Sequence, residues 1–161
     1  SSAASDVYKR QLLRDDVETI HAATDVLAEA KLSPELKNEA LYYRAKAYKN
    51  QKADKKALDD FRELAKDTRN SYGAEAKYQV AQSLYDAKEY TAAEKELLNY
   101  IEQSTPHAYW LARSFVLLSD VYVAMGKDLD ARQYLLSLQQ NYQGNDDLES
   151  MIEDRLKKLN K

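Results

Sequence analysis

The stretch WLARSFVLLSDVYVAMGKDLDARQYLLSLQQNY, residues 110–142, decides how this chain folds. Apolar side chains recur at helical spacing in its first half, at Phe115, Leu118, Tyr122 and Met125. They recur in the same way in its second half, at Ala131, Leu135, Leu138 and Tyr142. Gly126 lies between the halves, where a tight turn needs a conformationally permissive residue. The pattern predicts two helices that fold against each other through their apolar faces.

The composition favours helices along the rest of the chain as well. Its 161 residues include only three Gly and two Pro, so few positions are suited to breaking a helix. Charged residues make up 32% and are mixed in sign, which indicates solvated outer faces. We therefore expect an all-α protein with short connections.

Charge, hydropathy and cysteine content argue against several classes of protein. The net charge of −3 and the absence of a basic stripe argue against nucleic-acid binding. No apolar run approaches the roughly 20 residues that a membrane-spanning helix needs. The chain has no Cys, which excludes disulfides and thiolate metal sites and is compatible with a reducing cytosol or an envelope compartment.

Small residues recur at a nearly fixed period. Three of them occupy equivalent positions in second helices, with spacings of 36 and 38 residues: Ala57, Ala93 and Ala131. Three more have the same spacings in first helices: Ala45, Ala81 and Ser119. Two helices per period in this range predict a helical solenoid.

The residues at these positions resemble the tetratricopeptide repeat family, over roughly residues 38–142. The matching positions are Ala45, Tyr48, Ala57 and Phe61; Val80, Ala81, Leu84, Tyr90, Ala93 and Leu97; and Phe115, Leu118, Ser119, Tyr122, Gly126, Ala131 and Leu135. The resemblance implies a right-handed α-solenoid of antiparallel helix pairs, with Tyr48, Tyr90 and Tyr122 in the core.

The repeat register divides the chain into expected segments. We expect repeats at 34–70, 71–105 and 106–143, within one repeat domain covering 12–161. A half-unit at 12–32 precedes them and a capping helix at 145–160 follows. In the half-unit, the apolar spacing predicts one buried face formed by Leu13, Val17, Ile20, Thr24 and Leu27. Residues 1–11 lack an apolar period, so we expect a non-native or disordered segment and a chain that begins inside a larger protein.

Two features depart from the family pattern. Arg44 and Lys77 stand where apolar residues are expected, and the period exceeds the family's 34 residues. The longer spacing is similar to that of repeat proteins of the bacterial cell envelope, which implies a periplasmic or envelope location.

The resemblance also implies where a partner binds, because the family's concave surface is lined by the other side of the first helices. Carried over by position, the groove contains Tyr42, Lys46, Lys49, Asn50, Tyr78, Gln82, Tyr85, Val116, Asp120 and Val123. For the three tyrosines, a plain surface position is the alternative. The mixture favours a protein or peptide partner that presents a helix or an extended segment.

No constellation of reactive groups is visible in the sequence. The two histidines, His21 and His107, have no metal-ligand spacing. Neighbouring carboxylates on a helix point in different directions, so we expect Asp15–Asp16 and Asp59–Asp60 to be solvated and Asp146–Asp147 to cap a helix. We expect no metal, cofactor or catalytic site. The leading hypothesis is a non-enzymatic interaction scaffold, and the alternative is a structural segment that self-associates through exposed terminal helices.

Overall fold

The computed structural model describes Asp6, residues 15–103 and residues 105–161, and this part of the chain contains eight α-helices and no strand. The helices are α1 Asp16–Leu27, α2 Pro34–Asn50, α3 Asp54–Leu64, α4 Ser71–Asp86, α5 Tyr90–Glu102, α6 Ala108–Ala124, α7 Asp128–Asn141 and α8 Leu148–Leu159. The all-α prediction is confirmed. The expectations for residues 1–11, apart from Asp6, and for Leu13 lie outside the described residues.

Side-chain caps define the starts of the first two helices. The Asp15 carboxylate accepts a hydrogen bond of 3.1 Å from the Glu18 N–H at the start of α1. The Ser33 hydroxyl accepts one of 3.2 Å from the Leu36 N–H, and Pro34 occupies the first position of α2. These bonds satisfy amides that a helix start otherwise leaves without a partner.

The turn inside each helix pair has the same backbone geometry. Lys52, Lys88 and Gly126 adopt left-handed φ values of 58°, 62° and 75°. In each turn an N–H bonds the carbonyl five residues earlier: Ala53 to Tyr48 at 2.9 Å, Glu89 to Leu84 at 2.9 Å and Lys127 to Tyr122 at 2.7 Å. This is the Schellman arrangement, which closes a helix by satisfying its last carbonyls. The three left-handed residues repeat the spacings of the small residues.

The small residues are buried, as their spacing predicts. Their relative exposures are 3% for Ala57, 0% for Ala45, Ala81, Ala93 and Ala131, and 1% for Ser119. The Ser119 hydroxyl donates to the Val116 carbonyl at 2.6 Å, so this polar member of the set has its own partner. Helices approach closely where such side chains meet, which explains why larger residues do not appear there.

The contacts divide the chain into two compact units, residues 1–79 and 80–161, with the division inside α4. In the first unit α1 packs on α2 and α2 packs on α3. In the second unit α5 packs on α6, α6 packs on α7, and α8 packs on both α6 and α7. The division does not coincide with any boundary of the expected repeats.

The buried face of α1 differs from the one that the sequence predicts. The structure buries Thr19, Ala23 and Val26, whereas Val17 is 54% exposed and Thr24 is also exposed. The predicted stripe is therefore wrong at Val17 and Thr24, whereas Ile20 and Leu27 are half-buried and Leu27 packs on the buried cluster of this helix. The physical reason is that Ala23 and Val26 pack with Ala40 of α2, and small side chains permit that close approach.

The expectation that Asp60 is solvated is also wrong. Asp60 is 5% exposed and binds Arg44 through two hydrogen bonds of 2.7 and 2.8 Å. Arg44 also donates to the Thr24 hydroxyl at 3.2 Å, so it links α1, α2 and α3. Arg44, one of the two departures from the family pattern, is thus compensated by the buried Asp60.

The core of the second unit lies between α6, α7 and α8. Its buried residues are Ala112, Val116, Leu135, Leu138, Leu148 and Ile152. Leu148 and Ile152 come from α8, so this helix covers apolar residues of the preceding pair. Asp146 accepts from the Leu148 N–H at 2.9 Å, in agreement with the expected cap.

Candidate partner-binding surface

By repeat register, the expected groove residues form three sets of equivalent positions, called columns here, each with one residue from α2, α4 and α6. The columns are Tyr42, Tyr78 and Val116; Lys46, Gln82 and Asp120; and Lys49, Tyr85 and Val123. Asn50 follows Lys49 at the end of α2, and it is exposed. Its amide donates to the Asp16 carboxylate at 3.2 Å.

Accessibility differs from column to column. In the first column Tyr78 is 7% exposed and Val116 is 2% exposed, so neither offers a partner much surface. The second column is half-buried throughout. In the third, Lys49 is exposed, Tyr85 is half-buried and Val123 is 45% exposed. A partner can therefore reach the third column most easily.

In the first unit, the expected groove residues of α2 are bonded to buried polar residues of α4. Glu75 is 8% exposed and accepts from the Tyr42 hydroxyl at 2.9 Å and from the Lys46 ammonium at 3.3 Å. Gln79 accepts from the Lys49 ammonium at 2.6 Å and donates to Glu75 at 3.4 Å. These bonds fix Lys46 and Lys49 in position along α2.

Tyr42 is also part of an aromatic cluster. Its ring centroid lies 4.7 Å from that of Tyr72 and 5.4 Å from that of Tyr43. Burial raises the pKa of the Tyr42 phenol, and the Glu75 carboxylate raises it further. The phenol therefore remains a neutral donor to Glu75 at physiological pH. Substitution of Tyr42 affects packing as well as any partner contact.

In the second unit, Asp120 of α6 forms an ion pair with Arg155 of α8. Arg155 donates to its two carboxylate oxygens at 2.7 and 2.9 Å, in the bidentate geometry that suits a guanidinium. Arg155 also donates to the Met151 carbonyl at 3.3 Å. The pair is partly solvated, with side-chain exposures of 30% for Arg155 and 24% for Asp120. It holds the C-terminal half of α8 beside the expected groove.

A groove of about 510 Å³ lies next to this ion pair. Tyr85, Val123 and Leu159 supply apolar surface, and Asp120, Asp128, Asp154, Arg155 and Lys158 supply charge. Burial raises the pKa of the Tyr85 phenol, with a further contribution from Asp120. The groove thus contains three of the expected residues, Tyr85, Asp120 and Val123, from two first helices.

The described residues offer no group of three or more His, Cys, Asp or Glu side chains placed to hold a metal ion. Within the same part of the chain, none of the helices combines the length and hydropathy that crossing a membrane requires.

Sequence reasoning missed the residues that position the surface. Glu75 and Gln79 of α4 are bonded to α2, and their role depends on helix packing that no local pattern reveals. Arg155 had a usable signal, since it is a basic residue on the expected capping helix and Asp120 is an acidic residue on the expected groove.

No known protein family and no curated protein matches the sequence. Among solved structures, the chain is similar to one titled "Crystal structure of MamA", with a TM-score of 0.65 and 20% sequence identity. The similarity covers 94% of this chain and 90% of the MamA chain. MamA has a tetratricopeptide-like fold. Because the similarity extends over nearly the whole chain, the fold seen here is an all-helical repeat fold of the tetratricopeptide-like α-solenoid class.

Proposed function

We propose that this chain is a non-enzymatic protein-interaction scaffold that binds a helix or an extended segment of a partner on its first-helix surface. That surface is defined within each unit by the accessible residues of the expected groove, and Tyr78 and Val116 are left out because they are buried. The single observation that supports the proposal most is the groove beside Tyr85 and Val123, where apolar surface remains accessible next to a fixed ion pair.

The physical argument rests on preorganisation. The Glu75 bonds in the first unit and the Asp120–Arg155 pair in the second hold polar groups in place before any partner arrives. Fixed side chains lose less conformational entropy on binding, which favours recognition by a rigid surface. A half-buried tyrosine next to an exposed valine provides the apolar anchor that protein interfaces concentrate at their centres.

Capture of a partner followed by titration tests the proposal. The chain is used as bait in a cell extract, the captured protein is identified and purified, and its affinity is measured for the wild type and for Val123→Asp and Tyr85→Ala. We expect each substitution to weaken binding by about 1–2 kcal/mol or more, because loss of a buried anchor is costly. Val123→Asp is expected to fold normally, since its site is 45% exposed.

Leu129→Asp is the matched control. Leu129 is 70% exposed on α7 and does not line the groove. It undergoes a similar change from apolar to acidic, so it should leave partner binding unchanged. If Leu129→Asp abolishes binding while Val123→Asp and Tyr85→Ala bind as the wild type does, the proposal is wrong.

Self-assembly is the second candidate function, and one observation favours it. Leu129 and Leu136 lie seven residues apart on α7, which places them on one helix face, and they are 70% and 36% exposed. Such a face can join copies of the chain. Sedimentation velocity over a concentration series distinguishes the candidates: self-assembly requires a concentration-dependent increase in mass that Leu129→Asp removes.

A further inference from the structure

We infer that the groove in the second unit selects a basic amphipathic helix. This inference rests on the proposed function and specifies the chemistry of the partner. It combines three features of residues 80–161: accessible apolar surface, two exposed carboxylates on the groove rim, and an arginine of α8 that pairs with α6 beside apolar contacts.

The apolar surface requires an apolar partner face. Val123 is 45% exposed, and Tyr85 and Leu159 are half-buried beside it. A helix that presents Leu or Ile at positions i, i+3 and i+4 covers such a surface with one stripe.

The rim charges favour a basic flank on that partner helix. Asp128 and Asp154 line the groove, are exposed, and have no hydrogen bond or ion pair with any described residue. Lys158 offsets only one of these two charges. The unit as a whole has 13 Asp and Glu against 9 Lys and Arg, a net charge of −4, whereas residues 1–79 have 14 against 15 and a net charge of +1. The field at this groove therefore attracts cations.

The chain's own α8 shows that a basic side chain binds α6 next to an apolar contact. It places Leu148 and Ile152 against α6 and α7 and, one turn further on, pairs Arg155 with Asp120 at 2.7 and 2.9 Å. In α8, two apolar residues that pack on α6 and α7 are thus followed by a basic residue that pairs with α6. The neighbouring rim carboxylates, Asp128 and Asp154, offer the same type of contact to a second helix.

Two synthetic peptides about four helical turns long provide the probes. They share one Leu stripe and differ only in Lys or Glu at the flanking positions. Their binding to the full chain is measured by fluorescence anisotropy. We expect the Lys peptide to bind about 3- to 10-fold more tightly at low ionic strength, since exposed charge pairs contribute modestly, and the preference should shrink as salt is added.

A charge reversal with a matched control distinguishes the effect of the groove carboxylates on peptide preference from the effect of the overall net charge. The double variant Asp128→Lys, Asp154→Lys should reverse the preference toward the Glu peptide. The control Asp130→Lys, Glu153→Lys changes the same helices by the same charge, at exposed positions that do not line the groove. It should retain the preference for the Lys peptide. Circular dichroism confirms that both variants fold.

Three results would overturn the inference: no detectable binding of the Lys peptide, equal binding of the two peptides, or reversal by the control variant. Val123→Asp distinguishes failure of the inference from failure of the proposed function. If the Glu peptide binds and Val123→Asp weakens it, the groove binds helices and only the charge preference is wrong. If Val123→Asp weakens neither peptide, the groove is not a binding surface and the proposed function fails as well.

Discussion

At the scale of single residues, the turns show that different side chains occupy the same left-handed backbone conformation. The left-handed position of the turn is occupied by Gly126 in one helix pair and by Lys52 and Lys88 in the others. A side chain in this region crowds the following carbonyl, which costs roughly 1–2 kcal/mol. The lysines therefore store strain that glycine does not.

Lys88→Gly should accordingly stabilise the protein by about 0.5–1 kcal/mol, because relief of strain outweighs the greater entropy of unfolded glycine. Chemical denaturation measures the change. Gly126→Ala is the reciprocal control: a Cβ there meets nothing within 4 Å, so only the backbone is strained, and a loss of about 1 kcal/mol is expected. Destabilisation by Lys88→Gly would contradict this explanation of the turns.

A second residue-scale prediction concerns the ion pair between Arg44 and Asp60. Asp60→Asn should destabilise the fold by about 2–4 kcal/mol, because it leaves a largely buried guanidinium without its counter-charge. The double variant Arg44→Leu, Asp60→Leu should be close to wild type, since apolar residues replace a desolvated pair at similar volume. The single variants Arg44→Leu and Asp60→Leu complete the cycle, and equilibrium unfolding of the wild type, these two variants and the double variant gives the coupling free energy. Additive effects would show that the pair contributes no coupling.

At the scale of elements, the sequence predicted the helix pair α6–α7 well and α1 poorly. In α6–α7 two residues of the predicted apolar faces, Leu118 and Leu135, are buried, at 0% and 1% exposure. Hydrophobic spacing therefore identifies the correct face. In α1 the buried residues Thr19, Ala23 and Val26 have the same spacing as the predicted Ile20, Thr24 and Leu27, but each lies one residue earlier. Periodicity therefore identified the helix, but Thr and Ala on adjacent faces left the choice of the buried face open.

Ala93→Leu tests the register of the repeat at this scale. Ala93 is fully buried in α5, so the larger side chain should overpack the contact and cost roughly 1–3 kcal/mol. The adjacent Ala92 is exposed, which makes Ala92→Leu the matched control with almost no expected effect. Thermal melts compare the two. Equal melting temperatures would mean that the small residues at this spacing are not the packing positions.

At the scale of the whole molecule, the sequence was sufficient for the fold class but not for the details of the candidate site. The family register placed the accessible Val123 and Tyr85 among the groove residues. It also placed Val116 there, although α8 covers that residue with Leu148 and Ile152. The covering contact joins elements that lie far apart in the sequence, and repeat spacing carries no information about such contacts.

The most direct test of the central claim is hydrogen–deuterium exchange of the full chain, alone and with the captured partner. The proposal predicts new protection at the C-terminal turns of α4 and α6, which carry Tyr85 and Val123. It predicts unchanged exchange in α1 around Val17 and in α7 around Leu136. Protection confined to α1 or to the outer face of α7, with none at the ends of α4 and α6, would contradict binding on the first-helix surface.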